Sequence, residues 1–381
     1  MVSKAVKSVS PSATISLLVK ENELKAQGRN VISFSLGEPD FPAPEKVIEY
    51  ACKEMFDGKT HYTPSSGIPE LREKIAEKYK KENNVNVNAR NIIVTPTKFA
   101  LYISYLTLLD QSDEILIPDP GWVSYVEMAH LVRAKPVYYK LNEGNGFQIN
   151  EEEMKNKINK KTKAILINTP SNPTGSILDI DSLKILRDLA VDNDLYIISD
   201  EIYEKLIFEG KHISIASLDG MLERTITVNG FSKSHAMTGL RAGYLIANQE
   251  LIKYMDNVQQ HTLTCSSTFS QYAALKALDD NEDTLKMVTE FKMRRDLIYS
   301  GLSKINVFSA IKPNATFYIF PKFNYNGKNS MEMANFLLEN LNISVVPGIA
   351  FGPSGENHLR FSFSTSRENI IEGLERLQKL I

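Results

Sequence analysis

The chain has 381 residues, with 44 Lys and Arg against 46 Asp and Glu and a formal net charge of -2. At about 150 residues per domain, this length predicts two domains or one domain with a large appendage, and a hydrophobic fraction of 43% excludes a disordered chain. The near-neutral charge gives no electrostatic reason to expect nucleic acid or an anionic membrane as a partner.

Membrane insertion and secretion are not expected either. Apolar runs such as Ile165–Ile167 are too short to span a bilayer. The N-terminal segment lacks the apolar stretch of a signal peptide, and two cysteines in a chain of this length fit a reducing compartment. The sequence therefore predicts a cytoplasmic protein.

Short β-rich runs alternate with helical patterns between about residues 91 and 248. These runs lack clean polar alternation and are separated by helical stretches such as Lys98–Leu109 and Asp181–Asp192, which is typical of a mostly parallel sheet covered by helices. In such a sheet, ligands bind beyond the carboxyl ends of the strands. The candidate strands are Asn91–Thr95, Glu114–Pro118, Pro136–Leu141, Lys163–Asn168, Leu195–Ser199, Thr225–Asn229 and Gly243–Ala247.

The C-terminal part indicates a smaller α+β unit. Its candidate elements are the strands Thr316–Pro321, Ile343–Val346 and His358–Phe363, the helix Ser330–Leu341 and a final amphipathic helix. We expect residues 1–42 to form an N-terminal arm and part of a small domain. Residues 43–285 then form the large domain, and residues 286–381 complete the small one.

Several common sites are missing from the sequence. No GxxxxGK[ST] phosphate loop occurs, and no GxGxxG follows a candidate strand. The six histidines are scattered without an HExxH pair, and the two cysteines form no metal-binding pattern. We therefore expect neither a metal site nor a nucleoside triphosphate site.

One lysine follows a candidate strand in a loop of small residues. Lys233 lies in the run Gly230–Gly243, and its amine can form a Schiff base if its pKa is lowered. The small residues of this run let the backbone approach an anion, and Arg241 offers a two-pronged donor for a phosphate. On spacing alone, a surface lysine beside a structural arginine is the favoured interpretation.

Polar residues also follow two other candidate strands at the same edge of the sheet. Asp200 and Tyr203 come directly after Leu195–Ser199, where a carboxylate can pair with a protonated ring nitrogen and a phenol with a ring oxygen. Asn172 opens the turn Asn172–Gly175 and supplies an amide to the same cleft. Taken singly, these features indicate a capped strand end and a tight turn.

Together the motifs resemble a known family. The run Gly230–Gly243 is similar, position by position, to the cofactor-attachment motif of class I aminotransferases of pyridoxal-phosphate-dependent fold type I. The likeness is strongest to aspartate aminotransferases of the bacterial and archaeal type. It covers nearly the whole chain, and further motifs occur in the family's order: Gly37–Phe41, Tyr62–Arg72, Pro120–Tyr125, Asn172–Gly175, Ser199–Tyr203 and Val346–Gly348.

The resemblance implies a fold and a cofactor. The fold has a large domain with a mostly parallel seven-stranded sheet flanked by helices, and a small α+β domain built from both chain ends. Lys233 would hold pyridoxal 5'-phosphate through a Schiff base and then move the substrate proton as general base and acid. Asp200 would keep the pyridine nitrogen protonated, and Tyr203 and Asn172 would hydrogen-bond the phenolic oxygen. Trp122, the single tryptophan, would stack on the cofactor ring; otherwise it is a core aromatic.

The resemblance also assigns the cofactor phosphate to Arg241, Thr97, Lys98, Ser232 and Tyr62. In this family the equivalent of Tyr62 reaches across from the neighbouring subunit, which implies a homodimer with shared active sites.

Two positions depart from the family pattern. The loop Thr95–Lys98 is one residue shorter, and Pro96 within it lacks an N–H donor. Gly230 stands where a phosphate-binding serine is common, so Ser232 is the residue expected to compensate. Both departures put the phosphate contacts of this chain in question.

The substrates implied are an amino acid and a 2-oxo acid. Arg360 would bind the substrate α-carboxylate beside the Gly37 backbone, with Asn172 and Trp122 lining the same subsite. Lys98 would receive a second, distal carboxylate, which favours aspartate with 2-oxoglutarate. The alternatives are broader, aromatic or prephenate specificity, another fold type I enzyme such as a C–S lyase, and a non-catalytic regulator domain.

Overall fold

The structure, a computed structural model, describes residues 2–11, 13–279 and 281–380. Across these ranges no helix combines the length and apolar character needed to cross a membrane. The α-helices are α1 (Lys4–Lys7), α2 (Ala13–Ala26), α3 (Glu45–Phe56), α4 (Pro69–Glu82), α5 (Thr97–Leu108), α6 (Ser124–Leu131), α7 (Glu151–Lys157), α8 (Ile180–Asp192), α9 (Gln249–Gln260), α10 (Thr268–Ala277), α11 (Glu282–Leu302), α12 (Ser330–Leu341) and α13 (Arg367–Leu377).

The β-strands form one large sheet and three small ones. They are β1 (Ile32–Ser33), β2 (Ile92–Val94), β3 (Glu114–Asp119), β4 (Lys135–Lys140), β5 (Thr162–Asn168), β6 (Tyr196–Asp200), β7 (Thr225–Gly230), β8 (Gly243–Ile246), β9 (Phe308–Ser309), β10 (Tyr318–Ile319), β11 (Lys322–Phe323), β12 (Ile343–Ser344), β13 (Val346–Pro347) and β14 (Leu359–Ser362).

The large sheet has the strand order β2-β8-β7-β6-β5-β3-β4. All neighbouring strands run parallel except β8, which is antiparallel to both β7 and β2. The prediction of a mostly parallel seven-stranded sheet is confirmed, and each strand end lies within one residue of the predicted one.

Burial explains the absence of alternation along these strands. Every residue of β3, β7 and β8 is buried, because helices cover both faces of the sheet. Separate apolar clusters pack on the two faces, one built with α5, α6 and α9 and another with α8. The sheet is therefore a rigid support, and the segments that leave the carboxyl ends of β5, β6 and β7 are held close together.

A smaller unit combines both ends of the chain. β1 pairs in parallel with β12, so the N-terminal segment joins elements more than 300 residues away. The core of this unit contains Phe34, Phe291, Phe361 and Ile370. The predicted α+β unit from both chain ends is confirmed, and α12 has the predicted bounds.

The strands of the smaller unit are shorter than predicted. The run Ile343–Val346 divides into β12 and β13, because β12 pairs with β1 whereas β13 pairs with β14. The predicted strand Thr316–Pro321 retains only Tyr318 and Ile319, since Thr316 has a φ of 65° and leaves extended geometry. The hydrophobic content of Ile343–Val346 alone could not reveal that its two halves pair with different strands.

Candidate active site

A cavity of about 500 Å³ opens where the carboxyl ends of β5, β6 and β7 face the smaller unit. Its volume is within the range of sites for small molecules and cofactors. The predicted site residues that line it are Gly37, Thr97, Lys98, Trp122, Asn172, Asp200, Tyr203, Ser232, Lys233, Arg241 and Arg360. The structure therefore brings together side chains that are up to 323 positions apart in the sequence, from Gly37 to Arg360.

Tyr62 is the predicted site residue that does not line this cavity. Its side chain is 85% exposed, in the loop before α4.

Lys233 lies in the turn that follows β7. Its Nζ donates a hydrogen bond to the backbone carbonyl of Gly37, on the segment opposite. The pKa of the Lys233 amine is lowered to about 8, chiefly by burial in the cavity; the carboxylates of Glu38 and Asp200 oppose this shift, and the positive charges of Arg360 and Arg241 contribute to it. The amine is thus close to the protonation equilibrium that a general base at neutral pH requires.

Asp200 ends β6 and is 3% exposed. The hydroxyl of Tyr125 donates a hydrogen bond to its Oδ2 at 2.7 Å, and the backbone N–H of Ile202 donates to its Oδ1 at 3.3 Å. Burial raises the pKa of Asp200 to about 6, while these two hydrogen bonds oppose the rise. At neutral pH the group is a buried carboxylate that can accept a further donor.

Arg360 lies on β14 and is 3% exposed. Its Nη2 donates to the Ser35 carbonyl at 2.7 Å and its Nη1 to Asn172 Oδ1 at 3.2 Å. The guanidinium lies over the rings of Tyr318 and Phe351, with 4.4 and 5.1 Å to their centroids. Its Nε is buried and has no hydrogen-bond partner among the described residues, so the group keeps a donor for an anion.

Two hydroxyl groups meet on the same side of the cavity. The Tyr203 and Tyr318 hydroxyls are 3.1 Å apart, and the Tyr318 ring contacts the Arg360 guanidinium. Tyr318 therefore links the phenol expected at a cofactor oxygen with the arginine expected at a carboxylate.

Another part of the cavity gathers cationic and hydroxyl groups. Thr97 begins α5 directly after Pro96, so the amides of Thr97 and Lys98 have no partner within the helix. The Lys98 ammonium lies 4.8 Å from the centroid of the Trp122 ring, and its pKa is lowered by burial and by the nearby Arg241. A helix N-terminus beside two cations is a suitable environment for a phosphate dianion.

Close contacts explain why glycine stands at both ends of the run Gly230–Gly243, which we call the lysine loop. A Cβ on Gly230 would be 2.6 Å from Thr97 Oγ1, and one on Gly243 would be 2.4 Å from the same atom. Thr97 Oγ1 therefore occupies the space that a side chain at position 230 would need. Pro96 precedes the helix, and its missing N–H removes none of the first helical amides.

Sequence reasoning missed Tyr125, Tyr318 and Glu38, which also line the cavity. Tyr125 and Glu38 lie within recognised motifs, so their positions were visible but their contacts were not. The Glu38 carboxylate accepts a hydrogen bond from Thr238 at 2.6 Å, which ties the N-terminal segment to the lysine loop.

The donor set fits pyridoxal phosphate. The buried carboxylate matches the ring nitrogen of that cofactor, and the lysine amine of lowered pKa matches its aldehyde carbon. The amide and the phenol match its phenolic oxygen, and the cationic helix N-terminus matches its phosphate.

Comparisons with known proteins agree with this fit. A family model described as "Aminotransferase class I and II" matches residues 29–377. The chain is 42% identical to an aspartate aminotransferase of Bacillus subtilis, over 99% of this chain and 98% of that protein. It is 41% identical to an aromatic-amino-acid aminotransferase of Thermococcus litoralis, over 93% of each chain.

A solved structure gives the same answer at the level of the fold. The aspartate aminotransferase of Thermus thermophilus with maleate superposes with a TM-score of 0.96 at 38% identity, covering 100% of both chains. The predicted resemblance and fold type are confirmed. The chain therefore belongs to the class I and II aminotransferases and is a pyridoxal-phosphate-dependent transaminase of fold type I.

Proposed function

We propose that the enzyme transfers the amino group of aspartate to 2-oxoglutarate. The observation that carries this proposal is that the cavity is lined by Arg360 and Lys98 in addition to Lys233 and Arg241, the two cations assigned to the cofactor. A dicarboxylic acid can pair with both Arg360 and Lys98, whereas an amino acid with a neutral side chain can pair with only one. The Thermus aspartate aminotransferase was solved with maleate, which is itself a dicarboxylate, and several relatives are called aspartate aminotransferases.

The residues that hold the cofactor follow from their chemistry. Asp200 keeps a proton on the ring nitrogen, because a buried carboxylate stabilises an adjacent positive charge. Tyr203 and Asn172 hydrogen-bond the phenolic oxygen, and the Trp122 indole covers the ring. Bound pyridoxal phosphate supplies an electron sink that makes the Cα–H bond of the substrate acidic.

The phosphate is bound by the residues gathered at the start of α5. Arg241 supplies a guanidinium, Thr97 and Ser232 supply hydroxyls, and the first amides of the helix supply N–H donors. Lys98 adds positive charge at the same place, which strengthens binding of a dianion.

Lys233 and Arg360 act on the substrate. Arg360 binds the α-carboxylate beside Gly37 and so orients the Cα–H bond for proton transfer. The Lys233 amine, with a pKa of about 8, takes the proton from the substrate Cα and returns it to C4′, the aldehyde carbon of the cofactor. The acceptor 2-oxo acid uses the same carboxylate sites in the reverse direction.

We further propose a homodimer in which Tyr62 of the partner subunit reaches the phosphate. The support is the 85% exposure of Tyr62 and the 92% exposure of Phe56 in the single chain. A Tyr62→Phe variant should dimerise normally but bind pyridoxal phosphate several-fold more weakly. A monomer at micromolar concentration by light scattering would refute the shared site.

The division into segments 1–42, 43–285 and 286–381 is likewise proposed. Its support is the pairing of β1 with β12 and the single apolar core that both chain ends share. Residues 1 and 381 lie outside the described residues. The cytoplasmic location stays a prediction.

A panel of amino donors tests the specificity. Aspartate with 2-oxoglutarate should give the highest kcat/KM, and the visible absorbance of the bound cofactor should bleach with aspartate and return with an oxo acid. The named Thermococcus relative makes aromatic donors the second candidate. A higher kcat/KM for phenylalanine or prephenate would select that alternative, and release of ammonia from one amino acid without an oxo acid would indicate a lyase.

A further inference from the structure

Tyr125 is buried on α6, three residues after Trp122, and its hydroxyl contacts Asp200. The Tyr125 Oη–Asp200 Oδ2 distance of 2.7 Å is short, and both side chains are 3% exposed or less. The backbone carbonyl of Tyr125 accepts a hydrogen bond from the Tyr105 hydroxyl at 3.1 Å, which fixes α6 against α5. The Tyr125 hydroxyl is thus held at one oxygen of the carboxylate.

The direction of this hydrogen bond is determined by charge. Burial and the Asp200 carboxylate raise the pKa of Tyr125 well above its ordinary value, so the phenol stays protonated, and it donates because an ionised carboxylate can only accept. A donor that stabilises the ionised carboxyl favours that form over the neutral acid. The other Asp200 oxygen accepts the longer bond from the Ile202 amide, at 3.3 Å.

Burial and other groups around Asp200 shift its pKa, some upward and some downward. Burial and the adjacent Glu201 carboxylate favour the neutral acid, whereas the Lys233 ammonium favours the carboxylate. The titratable groups around Asp200 are Tyr105 on α5, Tyr125 on α6, Lys233 after β7, and Glu201 and Tyr203 on its own segment.

We propose that Tyr125 is a positioning residue of the cofactor site: its hydroxyl keeps Asp200 ionised and turned so that the carboxylate can hold the proton on the ring nitrogen of pyridoxal phosphate. This inference rests on the role proposed above for Asp200. Tyr125 itself contacts the cofactor's partner and not the reacting atoms.

The size of the effect follows from the strength of the contact. A hydrogen bond to a charged acceptor accounts for a shift of about one to two pH units when it is lost. The pKa of Asp200 is about 6 with the bond in place, so its loss moves the titration close to pH 7 or 8. Tyr125→Phe should then bind the cofactor through a partly protonated Asp200 at neutral pH.

The test measures the affinity of the apo-protein for pyridoxal phosphate between pH 5.5 and 9. Trp122 is the only tryptophan and lines the cavity, so its fluorescence reports binding directly. In the unaltered protein the affinity should fall as pH drops through about 6. In Tyr125→Phe this fall in affinity should occur at a pH about one to two units higher. At pH 9 the variant and the unaltered protein should bind pyridoxal phosphate with the same affinity.

The matched control is Tyr139→Phe. The Tyr139 hydroxyl is also buried in this sheet, but it donates to the Leu166 carbonyl at 2.9 Å and does not line the cavity. Its pH profile should equal that of the unaltered protein. A purely structural role of Tyr125 would weaken binding equally at every pH, and that result would overturn the proposal.

Asp200→Asn separates this inference from the function on which it rests. If Asp200→Asn leaves the affinity unchanged, the role of Asp200 fails; if it weakens binding while Tyr125→Phe shows no shift, only the role of Tyr125 fails. Should Tyr125→Phe not fold, 3-fluorotyrosine at position 125 retains the shape and makes the hydroxyl a stronger donor. The fall in affinity should then occur at lower pH, and a fall at an unchanged pH would refute the proposal.

Discussion

The carboxylate of Asp200 is expected to reduce the stability of the apo-protein in return for binding the cofactor. Its pKa is raised from 3.8 to about 6, chiefly by burial. The folded protein therefore holds this proton to higher pH than the unfolded chain does, and its stability falls as pH rises between about 4 and 6. A shift of about two units corresponds to about 3 kcal/mol at all higher pH values.

Asp200→Asn removes this charge: its amide oxygen can still accept from the Ile202 N–H, and its NH2 group can donate to the Tyr125 hydroxyl, which then accepts instead of donating. Urea unfolding of the apo-protein, followed by Trp122 fluorescence at equal protein concentration, should show a variant up to about 3 kcal/mol more stable at pH 8. At pH 4 and below the two proteins should have the same stability, because the wild-type group is then protonated. Cofactor affinity should fall at the same time.

The control for a loss of charge alone is Asp188→Asn, since the Asp188 side chain is 61% exposed. That change should alter the unfolding free energy by less than about 0.5 kcal/mol at either pH. A gain for Asp200→Asn that is equally large at pH 4, or no gain at pH 8, would show that burial of this charge does not limit stability.

Three further outcomes are expected. Lys98→Gln should lower kcat/KM for aspartate by about 10- to 100-fold, because the charge-assisted contact with the distal carboxylate is lost, and should affect an aromatic donor much less. Equal losses of kcat/KM for both donors in steady-state assays would contradict a distal-carboxylate site at Lys98. Arg360→Lys should lower kcat/KM for all donors by about 100-fold, since a lysine lacks the planar fork, and an effect confined to aspartate would argue against the α-carboxylate role. Lys78→Met leaves the Glu204 carboxylate buried without its ammonium partner, and the unfolding free energy should fall by about 3–5 kcal/mol at pH 7. Burial raises the pKa of Glu204, but Lys78 and the other partners of Glu204 outweigh this and bring it to about 2. The greater stability of the wild type over Lys78→Met should therefore disappear as pH falls from about 4.5 to 2, which urea unfolding across that range would show.

Much of the large domain could be predicted because its signals are local. Buried parallel strands have continuous apolar sequences, and the polar residues that follow them lie at one edge of the sheet by topology. This is why Asn172, Asp200 and Lys233 could be placed at one edge of the sheet, where they are found together in the cavity, although only the family resemblance implied their roles.

The contacts between side chains could not be predicted in the same way. Tyr125 and Asp200 are 75 residues apart, and Tyr203 and Tyr318 are 115 apart, so no periodicity links them. The close approach of Gly230 to Thr97 also depends on how β7 meets the start of α5. In the smaller unit, the division of one predicted strand into β12 and β13 depends on pairing with β1 from the other end of the chain.

Every role proposed for the cavity depends on which lysine binds the cofactor. Borohydride reduces the bond between a lysine amine and the aldehyde carbon of pyridoxal phosphate to a stable one, and peptide mass mapping then locates it. We predict one labelled peptide, with the label on Lys233, and no label at that peptide in Lys233→Ala. A label on another lysine at full activity, or turnover by Lys233→Ala, would contradict it.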